Sequence, residues 1–163
     1  MTTMNFAQLR GALPHRHPFL LLDRVTASEA GVSLTARKCI SGNEPCYAGL
    51  GDELEAGALA YPQTLLVEAF LQAAGLMLLE ALALPRVADD MLMLFGSLAD
   101  CVFAGDALPG DVLELQLSLD RLFPDSAMAS GRICVDGREL LRIGRVVVAL
   151  RPLAGAGAAA TPA

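Results

Sequence analysis

A carboxylate stands inside the most apolar stretch of this chain. In Leu65-Leu66-Val67-Glu68-Ala69-Phe70-Leu71-Gln72-Ala73-Ala74-Gly75-Leu76-Met77-Leu78-Leu79, Glu68 is the one charged side chain and Gln72 the only other polar one. On a helix, residues four apart share a face, so the two would meet. Burying a carboxylate is costly unless it is paired, hydrogen-bonded or protonated. Glu68 is therefore either a core carboxylate bonded to a neighbour or a group placed to move a proton, and the residues alone leave both open.

The other reactive side chains offer less. The only two histidines, His15 and His17, form an H-x-H pair with nothing nearby to complete a metal site. The four cysteines, Cys39, Cys46, Cys101 and Cys134, lie far apart with no CxxC pair, which excludes a zinc cage of familiar spacing. They read as small core hydrophobes that stay reduced in a cytoplasm. Neither a metal nor a cofactor is implied.

Composition bounds the class. With 163 residues the chain has length for one good hydrophobic core. A hydrophobic fraction of 54% and a mean hydropathy of +0.49 point to extensive burial, part of it at a subunit interface. The apolar run from Leu65 to Leu79 covers 15 residues, short of the roughly 20 that cross a bilayer. The N-terminus lacks the basic start and apolar stretch of a secretory signal, so a cytoplasmic protein without a membrane partner is expected. A net charge of −6 argues against nucleic-acid binding. Arg121, Arg132, Arg138, Arg142, Arg145 and Arg151 nevertheless concentrate positive charge in the last third of the chain, as a patch for an acidic partner or as ordinary solvated strand faces.

The elements that must position Glu68 follow in order. A short amphipathic segment, Asn5 to Ala12, leads into the Pro-bounded loop Leu13-Pro14-His15-Arg16-His17-Pro18. Strand-like stretches at Phe19–Thr26 and Val32–Ile40 are joined in hairpin fashion at Glu29-Ala30-Gly31. A loop rich in glycine and acid, Gly42 to Tyr61, precedes the apolar helix, which starts near Pro62 and ends before Pro85. Met91 to Phe103 is apolar enough for a sheet interior. Val112 to Asp120 alternates apolar and polar residues, and Ser126–Val135, the Asp136-Gly137 turn and Leu140–Leu150 read as a closing hairpin. Residues 1–152 are expected to form one α+β domain, a curved antiparallel sheet wrapped around one long central helix, with a disordered tail at 153–163. Edge strands of such a sheet favour pairing with a second subunit.

Several segments, in order, resemble the FabZ-type 3-hydroxyacyl-ACP dehydratases of the hotdog fold. Leu13-Pro14-His15-Arg16-His17-Pro18-Phe19-Leu20-Leu21-Leu22-Asp23-Arg24-Val25 is similar to the family's L-P-H-R-Y-P-F-L-L-V-D-R-V. Asn43-Glu44-Pro45 resembles its N-E-P loop, Glu68-Ala69-Phe70-Leu71-Gln72-Ala73-Ala74-Gly75 its E-A-x-A-Q-A-A-G helix, and Phe103 with Pro109-Gly110-Asp111 its F-x-x-x-V-x-P-G-D turn. The resemblance implies a dimer of hotdog subunits with active sites at the interface, each taking a histidine from one subunit and the helical acid, matching Glu68, from the other. It implies removal of water from a (3R)-hydroxyacyl chain carried on the phosphopantetheine of acyl carrier protein. A neutral imidazole can take the proton next to the thioester, and a carboxylic acid can protonate the departing hydroxyl. Desolvation in an apolar helix favours the protonated acid, and donors at the helix N-terminus would steady the enolate oxygen.

This sequence departs from the family at the histidine. After N-E-P the family continues with G-H-F-P and then M-P-G; here the residues are Tyr47-Ala48-Gly49-Leu50-Gly51-Asp52 and then Ala60-Tyr61-Pro62-Gln63, in a longer loop. Leu50 stands where the catalytic histidine would be and Gln63 where a glycine would be. No histidine occurs after His17, and His15 matches a family histidine that is not the base. By this alignment Glu68 is the catalytic candidate, with Gly49, Leu50, Pro62, Gln63, Thr64 and Gln72 as substrate-contacting positions. The chain then reads as one half of a heterodimeric dehydratase whose homologous partner supplies the histidine. The alternatives are a non-catalytic acyl-binding or scaffold subunit, as a homodimer or otherwise, with Glu68 a remnant held by Gln72 and Thr64, and an acyl thioesterase in which Glu68 activates water.

Overall fold

The computed structural model describes residues 2–153 apart from Asp52 and Ala56. Helix α1 (Phe6–Ala12) begins in a capping box: Asn5 Oδ1 accepts from the Gln8 amide at 3.1 Å while Gln8 Oε1 accepts from the Asn5 amide at 2.8 Å. The two bonds satisfy donors that a first turn otherwise leaves orphaned. Strands β1 (Arg24–Glu29) and β2 (Ser33–Cys39) follow, then a short 3-10 turn at Pro45–Tyr47 and the long helix α2 (Gln63–Ala81). The rest is strand: β3 (Met91–Phe103), β4 (Val112–Leu122), β5 (Ser126–Val135) and β6 (Arg138–Pro152).

All six strands form one antiparallel sheet in the order β1-β2-β4-β5-β6-β3, and α2 packs on β2, β4, β5 and β6 and reaches β3. This is the α+β hotdog arrangement. Alternation does the sorting along β4: Leu113, Leu115 and Leu117 are buried on the helix side, whereas Glu114, Gln116 and Ser118 lie on the other. Gly137, at φ 79°, follows Asp136 at φ 49°, the pair of positive angles that a two-residue hairpin turn requires. Gly75 leaves room for a side chain from β3: the end of Met93 lies where a Cβ would stand, and a larger residue there would make that flexible chain shift.

Helix α2 is apolar on nearly every side because it is covered on nearly every side. Leu9, Leu13, Leu21 and Leu22 close over it in the same core that the sheet lines from below. By length and composition it could also span a bilayer, but 61% of its most apolar window is buried inside the protein, as a core helix requires.

Three expectations are corrected. The strand expected from Phe19 begins only at Arg24, because the amides of Phe19 and Leu20 turn back to the Arg16 carbonyl at 2.7 and 3.0 Å and the Leu21 amide goes to a glutamine side chain. Those donors are committed before a ladder can form. The apolar Met91–Phe103 segment is not in the sheet interior: β3 has β6 on one side and a free edge on the other, with Leu92, Leu94, Leu98 and Val102 exposed. A long apolar strand with unpaired backbone groups is a template for a further strand. Cys39 is exposed rather than in the core, since it follows the inward Lys38 on β2; Cys134 is buried, and Cys46 and Cys101 are half-buried. Of the expected tail, the Leu153 amide is bonded to the Asp90 carbonyl at 2.8 Å, and residues 154–163 lie outside the described residues.

Candidate functional site

Glu68 occupies the second turn of α2, and Gln72 meets it one turn further on. Gln72 is fully buried, and both its amide nitrogen and its amide oxygen have partners. Its Nε2 donates to Glu68 Oε1 at 2.8 Å and to the Phe19 carbonyl at 2.7 Å, while its Oε1 accepts from the Leu21 amide at 3.0 Å. The amide therefore ties the 19–21 segment to the helix and anchors one carboxylate oxygen. Gln72 is one of the positions expected at the substrate; in the folded chain both of its N–H groups are occupied, by the Phe19 carbonyl and by Glu68.

The same segment folds His15 onto the carboxylate. His15 Nε2 lies 3.5 Å from Glu68 Oε1, the two side chains being 20% and 18% exposed. The imidazole ring sits 6.4 Å from the ring of Phe19. Burial pushes its pKa below the ordinary 6.5, the Glu68 charge opposes that shift, and the Arg16 charge adds to it. Arg16 holds the loop by donating to the carbonyls of Leu13 and His15 at 2.8 and 2.6 Å. The sequence contained no signal for this contact, because the loop's return to α2 is set by tertiary packing.

Lys38 was also missed. It points inward from β2 at 4% exposure, where its Nζ donates to Glu44 Oε1 at 2.7 Å and lies 5.5 Å from the Tyr61 ring centroid. A buried lysine needs such a partner. The pair pins the Asn43-Glu44-Pro45 segment to the sheet ahead of α2. Here a signal did exist: Leu34, Ala36 and Lys38 alternate in step, so Lys38 shares the inward face. Tyr47, whose hydroxyl donates to the Leu59 carbonyl at 3.2 Å, closes the loop that follows, and burial pushes its pKa up to about 12.

The remaining expected positions fall at the entrance to α2. Pro62 is its N-cap residue, and Gln63 and Thr64 are exposed in its first turn. That turn has no side-chain cap and no acid, which leaves amides free for a ligand oxygen. Gly49, at φ 84°, and Leu50 are exposed in the loop, and no hydrogen bond joins either to Glu68 or Gln72 among the described residues. The Thr64 side chain makes no hydrogen bond to Glu68 among the described residues. The arrangement presents a carboxylate with Oε1 anchored and Oε2 without a partner among the described residues, able to exchange a proton with a bound molecule.

Residues 13–144 match the family model of the FabA-like domain. The chain belongs to the FabA-like family. Within it, the chain is 35% identical over 135 residues to the 3-hydroxyacyl-[acyl-carrier-protein] dehydratase FabZ of Vibrio cholerae, covering 83% of this chain and 84% of that one. It is 36% identical over 138 residues to the coronafacic acid dehydratase of Pseudomonas savastanoi pv. glycinea, with 85% and 79% covered. Among solved structures, this FabA-like chain is similar to the dehydratase heterocomplex ApeI:P from Xenorhabdus doucetiae, at a TM-score of 0.70 and 18% identity over 90% of this chain and 92% of that one. A hypothetical thioesterase from Streptococcus pneumoniae with coenzyme A shares the fold at a TM-score of 0.56 and 8% identity, over 78% and 84%.

Proposed function

We propose that this chain is one subunit of a (3R)-3-hydroxyacyl-ACP dehydratase of fatty-acid or polyketide type, supplying Glu68 as the acid of a site completed by a histidine from a homologous hotdog partner. The partner's imidazole takes the proton from the carbon next to the thioester carbonyl. The electron pair left behind forms the double bond as the C–O bond to the hydroxyl breaks, and Glu68 gives the hydroxyl its proton, so that water leaves. Amides at the start of α2, beside Pro62, Gln63 and Thr64, suit the enolate oxygen, and Gly49 and Leu50 suit the mouth of the site. No cofactor beyond the carrier's phosphopantetheine takes part.

The observation that carries this reading is the Glu68 carboxylate itself, held through one oxygen and open at the other in a chain related to dehydratases. The segment after Asn43-Glu44-Pro45 contains no histidine, which favours a second, different chain as its source. The free apolar edge of β3 supports docking of such a chain, and the likeness to a dehydratase heterocomplex is consistent with it.

The test is to purify the chain alone and mixed with a histidine-bearing homologue from the same genome. Dehydration of a 3-hydroxyacyl-ACP by the mixture, and its loss in Glu68→Gln, are expected. A stable homodimer that stays inert with every such homologue would sink the proposal and leave a scaffold subunit.

A further inference from the structure

The proposed chemistry leaves His15 without a task, although it touches the acid. Its Nε2 faces Glu68 Oε1 at 3.5 Å, the same oxygen that accepts from Gln72 Nε2 at 2.8 Å. Its Nδ1 is buried and has no partner among the described residues. A neutral imidazole donates at one nitrogen and accepts at the other, whereas an imidazolium donates at both. A proton on Nδ1 would be a buried donor with no acceptor, and without one on Nε2 the ring's lone pair would confront the oxygen of Glu68. Only the neutral ring with its proton on Nε2 avoids both.

We propose that His15 is a positioning residue: as a neutral Nε2–H donor it joins Gln72 in holding Glu68 Oε1, so that the proton delivered to the leaving hydroxyl is carried on Oε2. This rests on Glu68 being the acid of the shared site. Gln72 Nε2 already bonds Oε1 at 2.8 Å, and the His15 ring at 3.5 Å is near enough to draw its N–H onto the same oxygen, which leaves Oε1 as the acceptor and hinders rotation of the carboxyl. The charged groups acting on the ring are Glu68 from α2 and Arg16 from its own loop; Phe19, which packs beside it, carries no charge. Burial, the largest influence on the ring, disfavours the imidazolium and so favours the neutral ring, whose proton the buried, unpartnered Nδ1 directs to Nε2.

The experiment has two arms. In the first, the chain carrying His17→Gln retains a single histidine and is labelled with nitrogen-15 for NMR. At neutral pH the spectrum should show a neutral ring protonated on Nε2, and adding Glu68→Gln should move the ring's titration to still lower pH, because the opposing charge is gone. An Nδ1-protonated ring, or an imidazolium at neutral pH, overturns the proposal without any assay of activity.

In the second arm, His15→Ala and His15→Gln are mixed with the histidine-bearing partner. Loss of the ring that holds the acid in place should lower kcat by about tenfold or more, with KM little changed. His15→Gln, which keeps an N–H donor near the Nε2 position, should recover most of it. If both variants match the unsubstituted mixture, His15 positions nothing. If the unsubstituted mixture is inert, the reading of Glu68 as an acid has failed and the positioning role falls with it.

Discussion

Helix α2 carries a half-buried acid near each end, and the two are built differently. Glu80, at the far end, accepts a hydrogen bond from the buried Ser28 hydroxyl of β1 through Oε2, and its Oε1 is buried with no partner among the described residues. Glu68 has the reverse arrangement: the oxygen that is held, Oε1, meets an amide and a ring, and the side chain retains 18% exposure. Burial of a carboxylate on an apolar helix is thus common to both and distinguishes neither. The distinction lies in where the unbonded oxygen goes. At Glu80 it is closed off inside the protein while the bonded Oε2 ties helix to strand; at Glu68 it is open to a bound molecule.

The sharpest way to break this comparison is to neutralise each acid in turn. Glu68→Gln in the mixed complex should reduce dehydration by about 10²–10⁴-fold, the usual contribution of a general acid. Glu80→Gln keeps an acceptor for Ser28 and should leave the rate near that of the unsubstituted complex, with a stability change within about 1 kcal/mol. Equal losses of rate in steady-state assays would mean that both acids act through the fold alone.

The difference between the acids should also vanish when no partner can dock. Leu94, exposed on β3 in the single chain, changed to Asp places a charge on the proposed interface. Affinity for the partner should weaken by about 30-fold or more, the loss expected at an interface hot spot, as read by analytical ultracentrifugation. Unchanged affinity would remove β3 from the interface.

Gln72→Leu tests what makes the Glu68 end special. It would leave the Leu21 amide and the Phe19 carbonyl without their partner and Glu68 without its anchor. Urea unfolding should show a loss of about 2–4 kcal/mol, since each buried group left unpaired is costly. A neutral substitution would show that the amide does not fasten the segment.

The smallest expected effect concerns pH. His15 has its pKa lowered in the folded chain from the ordinary 6.5. As pH falls through that ordinary value, the unfolded chain binds a proton that the native ring resists, so stability should decline there and level off below the folded pKa; well above the ordinary value the ring contributes no slope. His15→Gln should flatten that portion of the stability curve. Parallel curves for the two chains, from urea midpoints at about pH 7.5 and about pH 5.5, would contradict the burial argument.

Much of this site was legible in local sequence, and the unread part has a common cause. The Glu68–Gln72 contact follows from helical spacing, the inward leucines of β4 from alternation, and the Asp136-Gly137 turn from its residue types. The inward Lys38 was legible in the same alternation but stood out less than an acid in an apolar run. His15 against Glu68 was not legible, since only tertiary packing brings the 13–22 segment back over α2. The edge position of β3 was misread because an apolar run bears the same signature whether its cover is the same chain or another. Glu80 was overlooked because it lies just past the apolar run that drew attention to Glu68.

The central claim is that this chain lends an acid to a site it does not complete alone. The most direct measurement pairs it with a histidine-bearing homologue whose own helical acid has been changed to glutamine, so that neither homodimer holds a full set of groups. Dehydration of a 3-hydroxyacyl-ACP should appear only in the mixture and disappear again with Glu68→Gln. A heterodimer that forms and yet shows no dehydration would contradict the claim.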